Sequence, residues 1–174
     1  VIKDSLWQVT VYASFQRAKI YNATATDADK RQVKDLLRCE IQKKAKSYSN
    51  EIREAQHVKN IKAIADAITK KCASCLLHDE IPIGVVQKAF NLHLKLMWCM
   101  GQAAEPPHCP LDKAIIDKLP YKHSRSWTKI RDIETYNHLV GALKTLAEKS
   151  KRSLAIWELE EYEKPSHQQK PRRK

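Results

Sequence analysis

The stretch that decides the fold is IGVVQKAFNLHLKLMWCM, residues 83–100. Apolar side chains dominate it and leave hardly any polar face. A helix that is apolar on nearly all sides is buried in the core of a globular protein. We therefore predict a central apolar helix over residues 83–100, with the rest of the chain packed around it.

Six further segments have apolar residues at steps of three and four, the spacing of an amphipathic helix. They cover residues 5–21, 27–45, 52–72, 110–119, 133–149 and 153–162. A strand competes only in the first, because Val9, Thr10 and Val11 include β-branched side chains. We predict an all-α fold, a single compact bundle of about six to seven helices. Residues 1–163 would form one helical domain and residues 164–174 a disordered basic tail.

Composition supports the same class. The chain has 174 residues with 43% hydrophobic and 30% charged side chains, and only 3 Gly and 7 Pro, which is typical of a helix-rich globular protein. No apolar run approaches the roughly 20 residues of a membrane span, and the start lacks the order of a secretory signal. Five cysteines without regular spacing favour reduced thiols. We expect a soluble cytoplasmic protein without membrane partners.

The charge of the chain points to its partner. Lys and Arg number 32 against 20 Asp and Glu, which gives a net charge of +12. Such a charge attracts phosphate backbones and speeds encounter with them. Nucleic acid is therefore the leading candidate partner, with DNA favoured over RNA.

Cations and aromatic rings interleave between residues 118 and 131, a pattern that suits phosphate contact together with base stacking. The predicted nucleic-acid-binding residues of this segment are Lys118, Lys122, His123, Arg125, Trp127, Lys129 and Arg131. The alternative is a connecting loop in which Trp127 is buried in the core and the charges are solvated.

Two neighbouring motifs carry a resemblance. The first is IPIGVVQK, residues 81–88, and the second is PPHCPLD, residues 106–112. An apolar-Pro-apolar-Gly hairpin, a Lys one turn into the next apolar helix and a following Pro-x-Asp resemble the helix-hairpin-helix DNA glycosylases, in particular the archaeal 8-oxoguanine glycosylases. The resemblance covers about residues 80–120. It implies that Lys88 is the amine nucleophile that attacks the sugar C1′, that Asp112 assists, and that Gly84 belongs to a phosphate-binding hairpin.

Physical chemistry supports these roles independently. A lysine near the start of an apolar helix is partly desolvated and lies close to the positive helix end, and both effects lower its pKa toward a neutral, nucleophilic amine. Asp112, two residues after Pro110, would lie in the first turn of a helix, where the dipole favours a negative charge. The alternatives are a Lys88 that only extends to solvent along the helix surface and an Asp112 that only caps a helix.

Two other clusters are less informative. Cys72-x-x-Cys75 with His108 and Cys109 has the residue types of a zinc site, but we predict buried structural thiols, no metal and no cofactor. The acidic residues near residue 160 are predicted to form a solvated helix face. These are Glu158, Glu160, Glu161 and Glu163.

Two functions remain open from the sequence. One is a DNA base-excision glycosylase/lyase that uses Lys88 and Asp112 on a flipped or damaged base. The other is a non-catalytic helical binding or interaction module, either a homo-oligomer joined through its apolar helices or a protein with a small-molecule pocket lined by Trp98 and Phe90. The first requires Lys88 and Asp112 to meet at one reacting centre.

Overall fold

The computed structural model describes residues 2–120 and 126–163. It is 71% helical, and the described residues form seven α-helices and no strand. The helices are α1 Ile2–Phe15, α2 Asp27–Ala45, α3 Glu54–Cys72, α4 Ile83–Cys99, α5 Lys113–Ile116, α6 Ile133–Lys149 and α7 Leu154–Glu163. The predicted all-α bundle is thus confirmed, whereas the predicted tail, residues 164–174, lies outside the described residues.

Helix α4 occupies the centre, as its sequence predicts. It contacts α1, α2, α3 and α6, and also the short 3-10 turn Trp127–Lys129. Almost every side chain from Ile83 to Leu94 is buried, whereas Cys99 and Met100 at its end are exposed. The first three turns of α4 are therefore the core of the bundle, and its last turn emerges at the surface.

The first segment of the chain forms a helix, α1, and not a strand, but this helix ends earlier than predicted. The chain leaves the helix after Phe15. Ile20 then accepts a hydrogen bond from Leu77 N at 2.7 Å, and Asn22 N donates to Cys75 O at 3.1 Å. This backbone pairing takes residues 20–22 out of the helix, so the predicted extent of 5–21 is wrong at its C-terminal end.

Polar caps define where three helices begin. Thr26 and Asp29 form a reciprocal capping box at the start of α2. Asp132 accepts a hydrogen bond from Thr135 N at 2.6 Å and caps α6. Asp112 accepts from Ile115 N at 3.2 Å and caps α5. The prediction that Pro110 starts this short helix is therefore wrong, because Asp112 is the extended N-cap residue and the helix begins at Lys113.

Helix α7 packs against the core through Glu158, an acidic residue that we expected to face solvent. The side chain of Glu158 is 1% exposed, and its carboxylate lies 2.6 Å from Lys95 Nζ on α4. The predicted solvated acidic face is wrong at this position because Glu158 lies on the side of α7 that packs against the core. Glu160 does lie at the surface, where it pairs with Arg152 at 2.8 Å. The side chain of Glu163 lies outside the described residues.

Candidate active site

Lys88 and Asp112 meet although 24 positions separate them in the chain. The second turn of α4 carries Lys88, and the N-cap of α5 carries Asp112. Lys88 Nζ lies 3.4 Å from Asp112 Oδ2, and the two side chains are 12% and 16% exposed. An amine and a carboxylate are thus held side by side, largely shielded from water but not sealed from it.

The pair lies in a cleft of about 330 Å³ between the end of α1, the start of α5 and Trp127. Tyr12, Gln16 and Arg17 of the α1 side line one wall of this cleft. On another wall, the Trp127 ring centroid lies 4.4 Å from Lys88 Nζ, within the range of a cation–π contact. The amine therefore faces an aromatic surface and an open space rather than packed core.

The surroundings of Lys88 lower its pKa below the ordinary lysine value. Burial is the main cause, because it penalises the charged ammonium, and the nearby charge of Arg17 acts in the same direction. Asp112 opposes both effects but does not cancel them. A lysine with a lowered pKa contains more neutral amine at a given pH, and the neutral amine is the form that attacks carbon.

Gln87 holds the segment that precedes Asp112. Its Nε2 donates to Leu111 O at 2.8 Å and to Gly84 O at 2.9 Å, and its Oε1 accepts from Leu111 N at 3.1 Å. Gln87 is completely buried. Because both polar groups of the Leu111 main chain are bound to α4, the position of Asp112 relative to Lys88 is fixed from within the core.

A buried polar chain continues this anchoring to Glu54 at the start of α3. Asn91 donates to Cys109 O at 3.1 Å and to the Tyr136 hydroxyl at 3.2 Å. The same hydroxyl lies 2.7 Å from His108 Nδ1, and His108 Nε2 lies 2.9 Å from Glu54 Oε1. His108, which the sequence suggested as a metal ligand type, is thus a structural link in this chain.

Helix α7 reaches the same carboxylate from outside. The Tyr162 hydroxyl donates a hydrogen bond to Asp112 Oδ2, the oxygen that faces Lys88. The Tyr162 ring also lies 4.9 Å from Lys95 Nζ. No sequence pattern predicted Tyr162, Arg17 or Gln87 as site residues, because each meets the pair only through tertiary packing.

Gly84 serves packing in this structure. Its N–H donates to Ile130 O at 2.8 Å, so this donor is engaged within the protein rather than open to a phosphate. A Cβ placed on Gly84 would lie 1.7 Å from Trp127 O. The glycine therefore allows the backbone of residues 127–130 to approach the start of α4.

The predicted basic loop is only partly described. Trp127 is buried, at 3% exposure, as the alternative interpretation expected, yet it also forms a wall of the cleft. Lys129 is exposed, Arg131 pairs with Glu80 at 2.9 Å, and Lys118 pairs with Glu161 at 2.8 Å. The remaining predicted residues, Lys122, His123 and Arg125, lie outside the described residues.

The cysteines behave as buried or isolated thiols. None of the five is in a disulfide, and Cys72, Cys75 and Cys109 are buried. Burial raises the pKa of each of these three thiols, which disfavours the thiolate that binds metal. Across residues 2–120 and 126–163, no three His, Cys, Asp or Glu side chains are grouped closely enough to hold a metal ion.

Comparison of the chain with protein-family models, curated proteins and solved structures finds no match. Among the described helices, none combines the length and apolar character needed to cross a membrane. A function for this chain must therefore be inferred from its fold and from the geometry of the cleft.

Proposed function

We propose that this chain is a DNA base-excision glycosylase/lyase in which Lys88 is the nucleophile and Asp112 its acidic partner. The observation that carries the proposal is the 3.4 Å approach of Lys88 Nζ to Asp112 Oδ2 in a cleft. The sequence motifs alone suggested these two residues, and a catalytic pair had to meet at one centre. The net charge of +12 supports a polyanionic substrate.

The chemistry follows from the two groups. The neutral Lys88 amine attacks C1′ of a nucleotide turned out of the duplex, a C–N bond forms, and the base leaves with the electrons of the glycosidic bond and takes up a proton from solvent. The C1′–O4′ bond of the resulting aminal then opens to give the imine, and O4′ takes up the proton that the amine has lost. Asp112 takes the proton that the amine loses and stabilises positive charge on the sugar. At a site that has already lost its base, the amine condenses with the C1′ aldehyde to form an imine and releases water.

Borohydride trapping tests the chemistry directly. Reduction of the imine would leave a stable protein–DNA adduct with a duplex that contains one abasic site or one 8-oxoguanine. We expect an adduct with the wild-type protein, loss of at least about 100-fold in adduct yield with Lys88→Gln, and slower adduct formation with Asp112→Asn.

Lys113→Gln is the matched control. Lys113 lines the same cleft but pairs with Asp117, so its substitution removes a neighbouring amine without touching Asp112. We expect trapping to persist in this variant. An adduct that survives Lys88→Gln but not Lys113→Gln would reassign the nucleophile, and the absence of any wild-type adduct would refute the proposal.

Binding separates the enzyme from the non-catalytic alternative. Lys88→Gln should bind the duplex with an affinity close to that of the wild type, and this affinity should fall steeply with salt. Salt-sensitive binding without an adduct would favour a non-catalytic nucleic-acid-binding module, in which the Lys88–Asp112 pair only stabilises the fold.

A further inference from the structure

A second depression, of about 800 Å³, adjoins the Lys88 cleft and shares Arg17 with it. Three separate segments line it: the turn after α1, the turn at residues 77–78 and the loop 126–131. We call this depression the basic groove. Its position next to the cleft means that a chain-like ligand seated at Lys88 would enter it on one side.

The groove is lined by positive charge without a carboxylate. Arg17, Lys19, Lys129 and Arg131 contribute their cations, and no Asp or Glu is among the lining residues. Within the described residues, Arg131 is the member that forms an ion pair, with Glu80 at 2.9 Å. Uncompensated cations at the surface favour a ligand with several negative charges.

Hydroxyl groups accompany these cations. Ser126 and Thr128 line the groove, and their side-chain oxygens lie 3.1 Å apart. Hydroxyls and cations side by side are the usual contacts of a phosphodiester backbone, because both donate to phosphate oxygens.

The α5 side of the cleft has a different electrostatic character. Lys113, which lines the cleft at the start of α5, pairs with Asp117, and Lys118 just after α5 pairs with Glu161 at 2.8 Å. The Tyr162 hydroxyl also binds Asp112, the N-cap of this helix. The lysines of this segment are therefore paired with carboxylates, whereas Arg131 is the one cation of the basic groove with an ion pair among the described residues.

We infer that the basic groove holds the sugar–phosphate backbone of the reacting strand on one side of the target nucleotide only. The inference rests on the proposed function, and it adds a substrate requirement: the strand must continue on the groove side, whereas the other flank can be short. Arg17 would contact the phosphate next to the reacting nucleotide, because it borders both depressions.

Two measurements test this inference. The first compares duplex binding by Arg17→Gln/Lys19→Gln/Lys129→Gln with that of a control that removes three exposed lysines lining neither depression. The control residues are Lys43, Lys59 and Lys149. Loss of three phosphate contacts should lower the slope of log affinity against log salt by about 2 to 3, while the control should change it by less than about 1. Equal slopes in the two variants would overturn the inference.

The second measurement uses single abasic sites placed two, four, six or ten nucleotides from either end of one strand. We expect adduct yield to fall steeply as one flank is shortened and to change little as the other is shortened. A symmetric dependence would refute the one-sided path while leaving the nucleophile intact. If the wild type forms no adduct at all, the proposed function fails, and the salt slopes alone decide whether the groove binds backbone.

Discussion

The carbonyl oxygen of Trp127 lies where a side chain on Gly84 would begin: a Cβ on that glycine would be 1.7 Å away from it. The same glycine donates its N–H to Ile130 O at 2.8 Å. The start of α4 and the wall of the cleft are thus held together by a contact between two backbones.

Because of this contact, we expect one added methyl group at Gly84 to destabilise the protein strongly. Gly84→Ala should reduce the free energy of unfolding by about 3 kcal/mol, because the loop 127–130 must move away to admit the Cβ. Gly141 provides the control, since it lies on the exposed face of α6 with no atom within 4 Å of its Cβ position. Gly141→Ala should raise stability by about 0.5–1 kcal/mol, the gain typical of an exposed helix position. Urea unfolding measures both, and equal effects would contradict the role given to Gly84.

The ion pair of Lys95 and Glu158 is buried, so we expect removal of Lys95 alone to destabilise the protein more than removal of both charges. Burial raises the pKa of Glu158, and Lys95 opposes this shift. Lys95→Met should therefore cost about 3–5 kcal/mol at pH 7, because an unpaired carboxylate remains buried. The loss should shrink as the pH falls, since protonation removes the buried charge.

A double substitution separates the pair from simple packing. Lys95→Met/Glu158→Leu should recover much of the stability lost in Lys95→Met, because both charges leave the interior together. Unfolding midpoints of the two single variants and the double variant form the required cycle. Additive losses would show that the ion pair is not coupled.

Two core histidines predict loss of stability in acid. Burial lowers the pKa of His57 to about 3 and that of His108 to about 4, and the neighbouring His108 ring also lowers the pKa of His57. The unfolded chain, with histidine pKa values near 6.5, binds more protons between about pH 6.5 and 4. Stability is therefore complete above about pH 6.5 and falls as the pH drops, by about 2 kcal/mol for each histidine at pH 5.

Urea midpoints at pH 7.5, 6 and 5 and constant ionic strength measure this slope. His108→Gln should flatten it, because the titrating ring is removed while an amide can still bond to Tyr136 and Glu54. The exposed His138 is the control, and His138→Gln should leave the slope unchanged. A midpoint that is the same at all three pH values would refute the neutral buried state of the histidines.

We predict that Gln87 both stabilises the core and holds the Leu111 segment beside the site. Gln87→Met should cost about 2–3 kcal/mol, because Leu111 N–H and two buried carbonyl groups lose their partner. The Leu111 amide should also exchange with solvent faster than in the wild type. The exposed Gln32 on α2 offers a comparison, and Gln32→Met should change stability by less than about 0.5 kcal/mol. Unchanged exchange at Leu111 would show that Gln87 does not hold this segment.

The helices could be predicted because their signal is local. Apolar spacing and caps act within a few turns, so α2, α4 and α6 were predicted to within one residue at their ends. The end of α1 could not be predicted in this way, because the pairing of Ile20 with Leu77 joins segments that are distant in sequence. Burial of Glu158 depends in the same way on Lys95, 63 positions away.

The same distinction between local and tertiary signals separates the residues of the candidate site that could be predicted from those that could not. Lys88 and Asp112 each lie in a short motif, so their residue types could be singled out before any distance was known. Arg17 and Tyr162 lie in no motif. Arg17 reaches the cleft because α1, which precedes it, packs against α4, and Tyr162 reaches it through a hydrogen bond from α7 to Asp112. No periodicity within α1 or α7 indicates these neighbours.

The desolvation of Lys88 also makes its reactivity a property of the whole fold. The walls that enclose its amine come from Arg17, Asp112 and Trp127, which lie on segments far apart in the chain. In an unfolded chain Lys88 is solvated like any other lysine, so its pKa is not lowered. If Lys88 is the nucleophile proposed above, its reactivity arises only with the packing that completes the bundle, and molecules that have not finished folding lack it.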